Sequence, residues 1–311
     1  MSQEFDVAII GGGLAGLSAA LTAGRLGHSV VLLTDGVPGG ELLKIEKIDG
    51  VPGYAEGVPG YDLCPITQEQ AEELGVEFVD EPATGISAEG EGWKIASGAG
   101  DIVARGLIMA TGTAMARLGL PGEERLHGKG VSECASCDAP LLRGKVAVVA
   151  GGGDSAMQEA LVLADHLEKV IMVMRGDGLA GQARYREAVE ENPKIELRCN
   201  TVPTEIVGED AVTAVKVKDE ASGVEDEIAA DAIFTFIGLV PNTGLVADLV
   251  ALDDTGRIRV DAAMRSDAKG LCAVGNVREG SPHRAVGAMG DAAAAAVALD
   301  RYLATGAWRD A

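Results

Sequence analysis

A short segment of the chain carries residues that can do redox chemistry. Cys134 and Cys137 are separated by two residues, and Asp138 follows directly. Two thiols at this spacing can close a small disulfide that is readily reopened. A β-rich run that enters a glycine-rich turn follows within residues 145–156, and such a turn can bring a dinucleotide close to the thiols. The pattern therefore predicts a redox enzyme.

The first glycine-rich turn lies near the N-terminus. Gly11, Gly13 and Gly16 follow the apolar run 5–10 and open a helix rich in alanine and leucine. After the next apolar run comes Asp35, close to the position where a carboxylate accepts the ribose hydroxyls of a dinucleotide. Because strand, turn, helix and acid occur in the required order, the sequence predicts a dinucleotide site here.

A second turn of the same kind begins after residue 150. Its members are Gly151, Gly153, Asp154, Ser155 and Ala156. Arg175 stands at the same offset from Ala156 as Asp35 does from Gly16, and an arginine there suits a 2′-phosphate better than a free ribose hydroxyl. The turn is a candidate NAD(P) site, or else an inherited scaffold that binds no nucleotide.

Composition narrows the classes of protein and partner. With 311 residues and 47% apolar content, the chain can form two α/β domains, each with its own core. A net charge of −22 repels nucleic acid and anionic membrane surfaces. We expect neither a membrane span nor a signal peptide, because no apolar window is long enough and the first apolar run follows acidic residues. Five cysteines, an odd number in a long chain, favour a cytoplasmic location over a disulfide scaffold, and no metal site is expected because no second cysteine pair is present.

The sequence also predicts the order of the elements. Glycine and proline indicate a long loop over 36–61, followed by a helix over 67–75. One strand is expected over 227–233 and another near 257–260, before an alanine-rich helix over 285–303. Segments 117–130 and 238–245 are expected to be linkers.

Taken together with the strand end Ala110-Thr111-Gly112 and the helix entry Gly275-Asn276, these motifs resemble the low-molecular-weight thioredoxin reductases over essentially the whole chain. The resemblance implies an α/β fold with two Rossmann-like (three-layer ββα) dinucleotide-binding domains, the second inserted into the first. Residues 1–116 and 246–311 would bind FAD, and residues 117–245 would form a pyridine-nucleotide-type domain with the C-x-x-C. It further implies a homodimer that reduces thioredoxin or a thioredoxin-like protein.

Roles for individual residues come from the same resemblance. Cys137 would face the flavin, Cys134 would exchange with the substrate disulfide, and Asp138 would protonate the leaving thiolate. The FAD-binding residues it implies are Gly11, Gly13, Gly16, Asp35, Gly40, Glu41, Leu42, Thr111, Gly112, Gly275, Asn276, Arg284, Ala285 and Val286.

The chain departs from the family after the second strand of the inserted domain. NADPH-using members carry His-Arg-Arg there and a further arginine, whereas the run from Met174 to Ala180 keeps only Arg175. Each lost charge-assisted contact to the 2′-phosphate is worth roughly 1.5 to 3 kcal/mol. We therefore expect a weak preference for NADPH, with NADH or a ferredoxin as alternative electron donors.

Two other functions fit parts of the pattern. A dithiol oxidase would close a disulfide in a small molecule and pass electrons to oxygen, but such relatives commonly carry proline and an aromatic between the cysteines, so Ala135 and Ser136 favour the reductase. A flavin-bearing redox sensor without catalysis would not need the set Cys134, Cys137 and Asp138. His283, next to the expected flavin edge, is a candidate proton shuttle or flavin contact.

Overall fold

A computed structural model describes residues 3–308. The chain packs into two compact units: the first contains the residues up to Ala114 and those from Val240 onward, and the second contains Met115–Leu239. The chain thus leaves the first unit once and returns to it once. Within residues 3–308, none of the helices has the length and apolar character needed to cross a membrane.

The first unit begins with a parallel sheet. Its elements up to the crossing into the second unit are β1 (Gln3–Ile10), α1 (Leu14–Arg25), β2 (Val30–Thr34), a 3-10 turn (Gly40–Lys44), α2 (Gly60–Glu72), β3 (Glu77–Asp80), β4 (Ala83–Glu89), β5 (Gly92–Ser97), β6 (Ile102–Met109) and β7 (Thr113–Met115). Strands β3, β2, β1 and β6 are neighbours and run parallel, whereas β5 and β4 continue the sheet antiparallel. The end of β1 is buried and apolar throughout, as expected for a strand covered on both faces.

The second unit repeats the parallel design. Its elements are β8 (Val131–Ser132), α3 (Ala135–Asp138), a 3-10 turn (Ala139–Leu142), β9 (Val146–Ala150), α4 (Asp154–His166), β10 (Lys169–Val173), α5 (Ala183–Glu190), β11 (Ile195–Arg198), β12 (Thr201–Val207), β13 (Ala214–Asp219), β14 (Glu225–Ala229) and β15 (Ala232–Thr235). One sheet has the parallel order β11-β10-β9-β15-β8, and strands β12 to β14 form a separate antiparallel sheet.

The chain returns through β16 (Leu239–Pro241), which pairs with β7, and completes the first unit with β17 (Leu271–Ala273), a 3-10 turn (Gly275–Val277) and α6 (Ala285–Thr305). Strand β17 joins β6 in parallel. Helix α6 packs on α1 through buried alanines on both helices, which allows the two backbones to approach closely. The predicted α/β class with parallel dinucleotide-binding sheets is therefore present in both units.

Three elements differ from the sequence prediction. Helix α2 begins at Gly60 although Pro65 lies within it, because burial of Leu63 and Cys64 outweighs the lost backbone hydrogen bond. The strand expected over 227–233 is divided between two sheets, because the Asp231 carboxylate accepts the backbone N–H of Val146 at 3.1 Å and turns the chain. The strand expected near 257–260 forms only isolated bridges.

Candidate redox site and nucleotide turns

The two cysteines of the C-x-x-C form a disulfide at the start of helix α3. Their Cα atoms lie 5.4 Å apart. Cys134 caps the helix, its sulfur accepts the backbone N–H of Cys137 at 3.3 Å, and its own N–H donates to the Ser132 hydroxyl at 3.1 Å. Cys137 is exposed, whereas Cys134 is half-buried. The disulfide is thus held in a short, hydrogen-bonded turn, with Cys137 the more exposed of the two residues.

Asp138 lies directly after the disulfide, as the sequence requires. It is half-buried, and within residues 3–308 its carboxylate makes no hydrogen bond or ion pair. The predicted role of Asp138 as the acid stays a prediction.

Sequence reasoning missed a second carboxylate at this turn. Glu159 comes from helix α4, and its Oε2 accepts the backbone N–H of Ala135 at 2.8 Å. The side chain is only 8% exposed. The sequence could have indicated this residue, because its spacing places Glu159 on the same helix face as Ala156 and Leu163, which are buried. An acid on an apolar helix face needs a hydrogen-bond partner.

The first glycine turn has the backbone geometry that a bound phosphate group requires. Gly11 has φ +110°, and a Cβ there would collide with the carbonyl oxygen of Ala110. A Cβ on Gly16 would collide with the carbonyl oxygen of Gly11, whereas the space next to Gly13 is open within 4 Å. Gly11 and Gly16 therefore allow the strand and the helix to pack closely, and Gly13 leaves space for a ligand to approach the backbone.

The remaining predicted FAD residues collect around the carboxyl ends of the parallel strands. Asp35 follows β2 and is exposed. The 3-10 turn that holds Gly40, Glu41 and Leu42 is fastened to the glycine turn, since the N–H of Gly39 donates to Gly12 O at 2.7 Å. These segments share one edge of the sheet, which is where ligands bind in open α/β folds.

Two further segments at this edge are fixed by side chains. The Thr111 hydroxyl donates to Asn242 O at 2.7 Å, and the Asn242 amide donates to Thr111 O at 2.9 Å. The backbone N–H of Asn242 also donates to Gly112 O at 3.1 Å. Thr111 is thus engaged with the returning chain, a contact that the sequence did not predict.

The turn before α6 is held by a buried ion pair. Asp291 accepts the Gly275 N–H at 3.1 Å and binds the Arg278 guanidinium at 2.6 and 2.8 Å. The two side chains are 7% and 12% exposed. The Asn276 amide oxygen accepts the Ser281 hydroxyl at 3.1 Å.

At the start of α6, Arg284 is the N-cap residue, and Ala285 and Val286 form the first turn. His283 precedes them with φ 53°. Burial lowers the pKa of the His283 imidazole, and the guanidiniums of Arg257, Arg284 and Arg278 lower it further. His283 is accordingly a neutral imidazole at neutral pH.

The second glycine turn matches the first in backbone but not in charge. Gly151 has φ +135°, and a Cβ there would collide with Phe236 O. Gly153 caps α4, yet the first turn of this helix carries Asp154, whose carboxylate accepts the N–H of Gln182 at 2.8 Å. Ser155 is exposed, Ala156 is buried, and Arg175 is exposed after β10.

A redox disulfide next to one of two such turns is the arrangement of a known family. Residues 5–292 match the model of the pyridine nucleotide-disulphide oxidoreductases. The chain belongs to this family. A thioredoxin reductase from Treponema pallidum is 38% identical over 305 residues, which cover 98% of this chain and 99% of that protein.

Solved structures agree with this assignment. Thioredoxin reductase from Lactococcus lactis has a TM-score of 0.93 and 36% identity, with 96% of this chain and 99% of that one covered. A ferredoxin-flavin thioredoxin reductase from Clostridium acetobutylicum has a TM-score of 0.54 and 28% identity, with 98% and 100% covered. The resemblance to thioredoxin reductases is confirmed, as is the fold of two dinucleotide-binding domains, and the protein is an FAD-dependent oxidoreductase.

The first glycine turn fits the FAD that the family uses. Within residues 3–308, no side chain caps the start of α1 and no acidic residue lies in its first turn. The free N–H groups of this helix end, together with the open space at Gly13, suit a pyrophosphate. Asp35 suits the ribose. For the nicotinamide cofactor, the glycine backbone of the second turn also fits, but Arg175 is the single arginine of the family's expected set.

Proposed function

We propose that this protein is a flavin-dependent disulfide reductase that passes electrons through FAD and the Cys134–Cys137 disulfide to thioredoxin or a thioredoxin-like protein. The observation that carries the proposal is the closed, partly exposed disulfide on the inserted unit. The identity to thioredoxin reductases over nearly the whole chain supports it. When bound, FAD supplies the electron pair that reduces the disulfide.

The chain's own residues perform the exchange with the substrate. We assign the attack to Cys134, whose thiolate bonds to one sulfur of the substrate disulfide and releases the other as a thiolate. The Cys137 thiolate then attacks the sulfur of Cys134, which closes Cys134–Cys137 again and releases the reduced substrate. Asp138 is the proposed proton donor to a departing sulfur.

A neighbouring side chain supplies an apolar contact for a protein substrate. Leu141 lies four residues after Cys137 and is 82% exposed. Exposed leucines are ordinary singly, but this one adjoins the reactive disulfide, so we propose that a thioredoxin-like partner covers it.

The test is a thioredoxin reduction assay with the FAD-loaded protein. Cys134→Ser and Cys137→Ser are expected to lower the rate of thioredoxin reduction at least about 10³-fold, because single-thiol variants cannot complete the exchange. Bleaching of the flavin by the electron donor should persist in both. Cys199→Ser is the matched control, since Cys199 is a free thiol on the same unit, and it should keep the wild-type rate.

Other outcomes would reject the proposal. Thioredoxin reduction that survives in both variants would show that the disulfide is not on the electron path. Peroxide formation on mixing with a small dithiol, without thioredoxin reduction, would identify a dithiol oxidase instead.

For the electron donor, we propose NADH or a reduced ferredoxin in preference to NADPH. The single Arg175 of the expected arginine set supports this, and the likeness to a ferredoxin-flavin thioredoxin reductase favours the ferredoxin alternative. Stopped-flow reduction of the bound flavin by NADH, NADPH and reduced ferredoxin in parallel decides among them. Fast bleaching by NADPH alone would contradict the proposal.

We also propose that the chain works as a homodimer in the cytoplasm. Tyr61 and Ile66 of helix α2 are 52% and 48% exposed and are candidate subunit contacts on the first unit. The free thiols Cys64, Cys199 and Cys272 suit a reducing compartment. Light scattering that gives the mass of one chain, 31.8 kDa, at micromolar concentration would contradict the dimer.

A further inference from the structure

Glu159 is a buried carboxylate that the exchange reaction described above does not use. It lies on helix α4 among residues of an apolar core, with 8% of its surface exposed. Burying a carboxylate is costly unless donors compensate it. One such donor is the N–H of Ala135, at 2.8 Å from Glu159 Oε2, so the charge is held against the turn that contains the disulfide.

Two N–H groups of this turn have acceptors that bear on the reactive sulfur. The N–H of Cys137 points at the sulfur of Cys134 at 3.3 Å, which favours a thiolate there. The N–H of Ala135, the residue next to Cys134, is occupied by the Glu159 carboxylate. The turn therefore offers the sulfur one donor, and the Glu159 carboxylate occupies the N–H of the adjacent residue.

We infer that Glu159 is a positioning residue that keeps the Cys134–Cys137 couple reducing, by fixing the turn through Ala135 and disfavouring a thiolate on Cys134. The inference rests on the proposed reductase function. Thiol pairs whose reduced form is stabilised are strong oxidants. A reductase must instead pass its electron pair on, so a charge that destabilises its thiolate serves the reaction.

Other charged residues lie on this segment and on the elements next to it. Glu133 and Asp138 belong to the same segment, helix α4 adds Asp154 and Asp165 besides Glu159, and Arg143 follows the next 3-10 turn. The Asp154 carboxylate accepts the N–H of Gln182, whereas the Glu159 carboxylate accepts that of Ala135, which lies between the two cysteines. The effect of Glu159 can therefore be separated from that of general charge by comparing variants.

The test compares Glu159→Gln with Asp165→Asn in the full chain. The first variant keeps an oxygen that can accept the Ala135 N–H but removes the charge. The second removes the same charge from an exposed position on the same helix. Glu159→Asp, which keeps the charge, is the conservative rescue variant.

Two measurements need neither an electron donor nor thioredoxin. The first is the rate of Cys134 alkylation by iodoacetamide as a function of pH, resolved from Cys137 and the other thiols by fragmentation of the labelled peptide in the mass spectrometer. The second is the equilibrium with dithiothreitol, which closes to its cyclic disulfide and passes two electrons and two protons to Cys134–Cys137.

In Glu159→Gln we expect alkylation at pH 7 to be about tenfold faster, which corresponds to a thiol pKa one unit lower. The dithiothreitol equilibrium, measured near pH 10 where the Cys134 thiol is ionised in both proteins, should move about tenfold toward the dithiol, whereas at pH 7 it should change by less than about twofold. Asp165→Asn should change either value by less than about twofold, because an exposed charge is screened. Glu159→Asp should restore the slow alkylation.

Equal values in wild type and Glu159→Gln would overturn the inference, as would equal changes in Glu159→Gln and Asp165→Asn. If Glu159→Gln does not fold, the wild-type titration decides: a Cys134 pKa at or above about 8.5, the ordinary thiol value, supports the inference, and a lower value overturns it. Absence of thioredoxin reduction alongside these shifts would reject the proposed function alone.

Discussion

The cysteines of this protein differ in reactivity because their surroundings differ. Cys64 is fully buried, and burial raises the pKa of its thiol to about 11. Burial also raises the pKa of Cys272 well above the ordinary value. Cys199 is half-buried, so its sulfur is more accessible than those of the two buried thiols.

We therefore predict that one thiol reacts rapidly in the oxidised, folded protein at pH 8. A thiolate is the reacting form, so a raised pKa keeps Cys64 and Cys272 protonated at this pH, and the reactivity of Cys64 should rise only as the pH approaches about 11. Titration with Ellman's reagent should detect Cys199 quickly and all three thiols only in guanidinium chloride. Two fast thiols in the folded protein would contradict this.

A single residue can be predicted from the sequence when the backbone conformation at its position admits only that residue type. Gly11 and Gly151 were predicted to lie in nucleotide turns, and both have positive φ and no room for a side chain. Glu159 and Asp291 were not predicted as structural acids. Each of these acids has a structural role because it accepts a backbone N–H from a segment distant in the sequence, and the local sequence does not reveal that contact.

At the scale of elements, the 3-10 turn Gly275–Val277 is joined to helix α6 by the Asp291–Arg278 pair. Asp291→Ala leaves the buried guanidinium of Arg278 without its partner, and we expect a loss of about 3 to 5 kcal/mol in the free energy of unfolding. Urea denaturation measures it. Retained flavin should fall as well, because the Gly275 N–H loses its acceptor.

The control for that prediction is Glu91→Ala. Glu91 pairs with Lys269 on the surface of the same unit, with 87% and 52% of the side chains exposed. Its removal should leave the urea midpoint unchanged, because exposed ion pairs are screened by solvent. An equal loss of stability in both variants would contradict a special role for the buried pair.

The segment after β10 permits a gain-of-function prediction. Gly176→Arg with Ala180→Arg restores the two guanidiniums that the family's NADPH users carry at these positions. If the second turn binds a nucleotide, two charge-assisted contacts of roughly 1.5 to 3 kcal/mol each should raise the preference for NADPH over NADH by about 10² or more in flavin reduction. The control variant Gly176→Gln with Ala180→Gln adds side chains of similar length without charge, and it should leave the preference between NADPH and NADH unchanged. No shift in preference would indicate that the second turn binds no nucleotide.

The elements that sequence patterns predicted best are those with a continuous or periodic set of buried residues, such as β1 and α6. Boundaries failed where a tertiary contact decides them. The turn between β14 and β15 depends on Asp231 binding Val146 and Lys145. Helix α5, which no sequence pattern indicated, has few buried residues to give it an apolar period. Both features require knowledge of the neighbouring strand or helix.

For the whole molecule, the repeat of the strand, turn and helix motif was sufficient to predict two nucleotide-type units and the family. The electron donor and the partner depend on a few surface residues, and a net charge of −22 leaves several kinds of protein partner open. Charge does constrain how a partner approaches, since two acidic proteins repel each other at long range.

We predict that docking of an acidic thioredoxin depends on apolar contact and improves with salt. Between about 10 mM and 150 mM salt the screening length falls from about 30 Å to about 8 Å, so the KM for such a thioredoxin should decrease. Leu141→Asp should raise KM about tenfold at every salt concentration, with little change in the rate of flavin reduction. The reason is that the variant replaces the apolar contact that a bound thioredoxin would cover by a charge of the same sign as that of the thioredoxin. Val224→Asp, at another exposed apolar position of the same unit, should leave KM near the wild-type value. A KM that increases with salt would instead indicate docking through a basic patch on the partner.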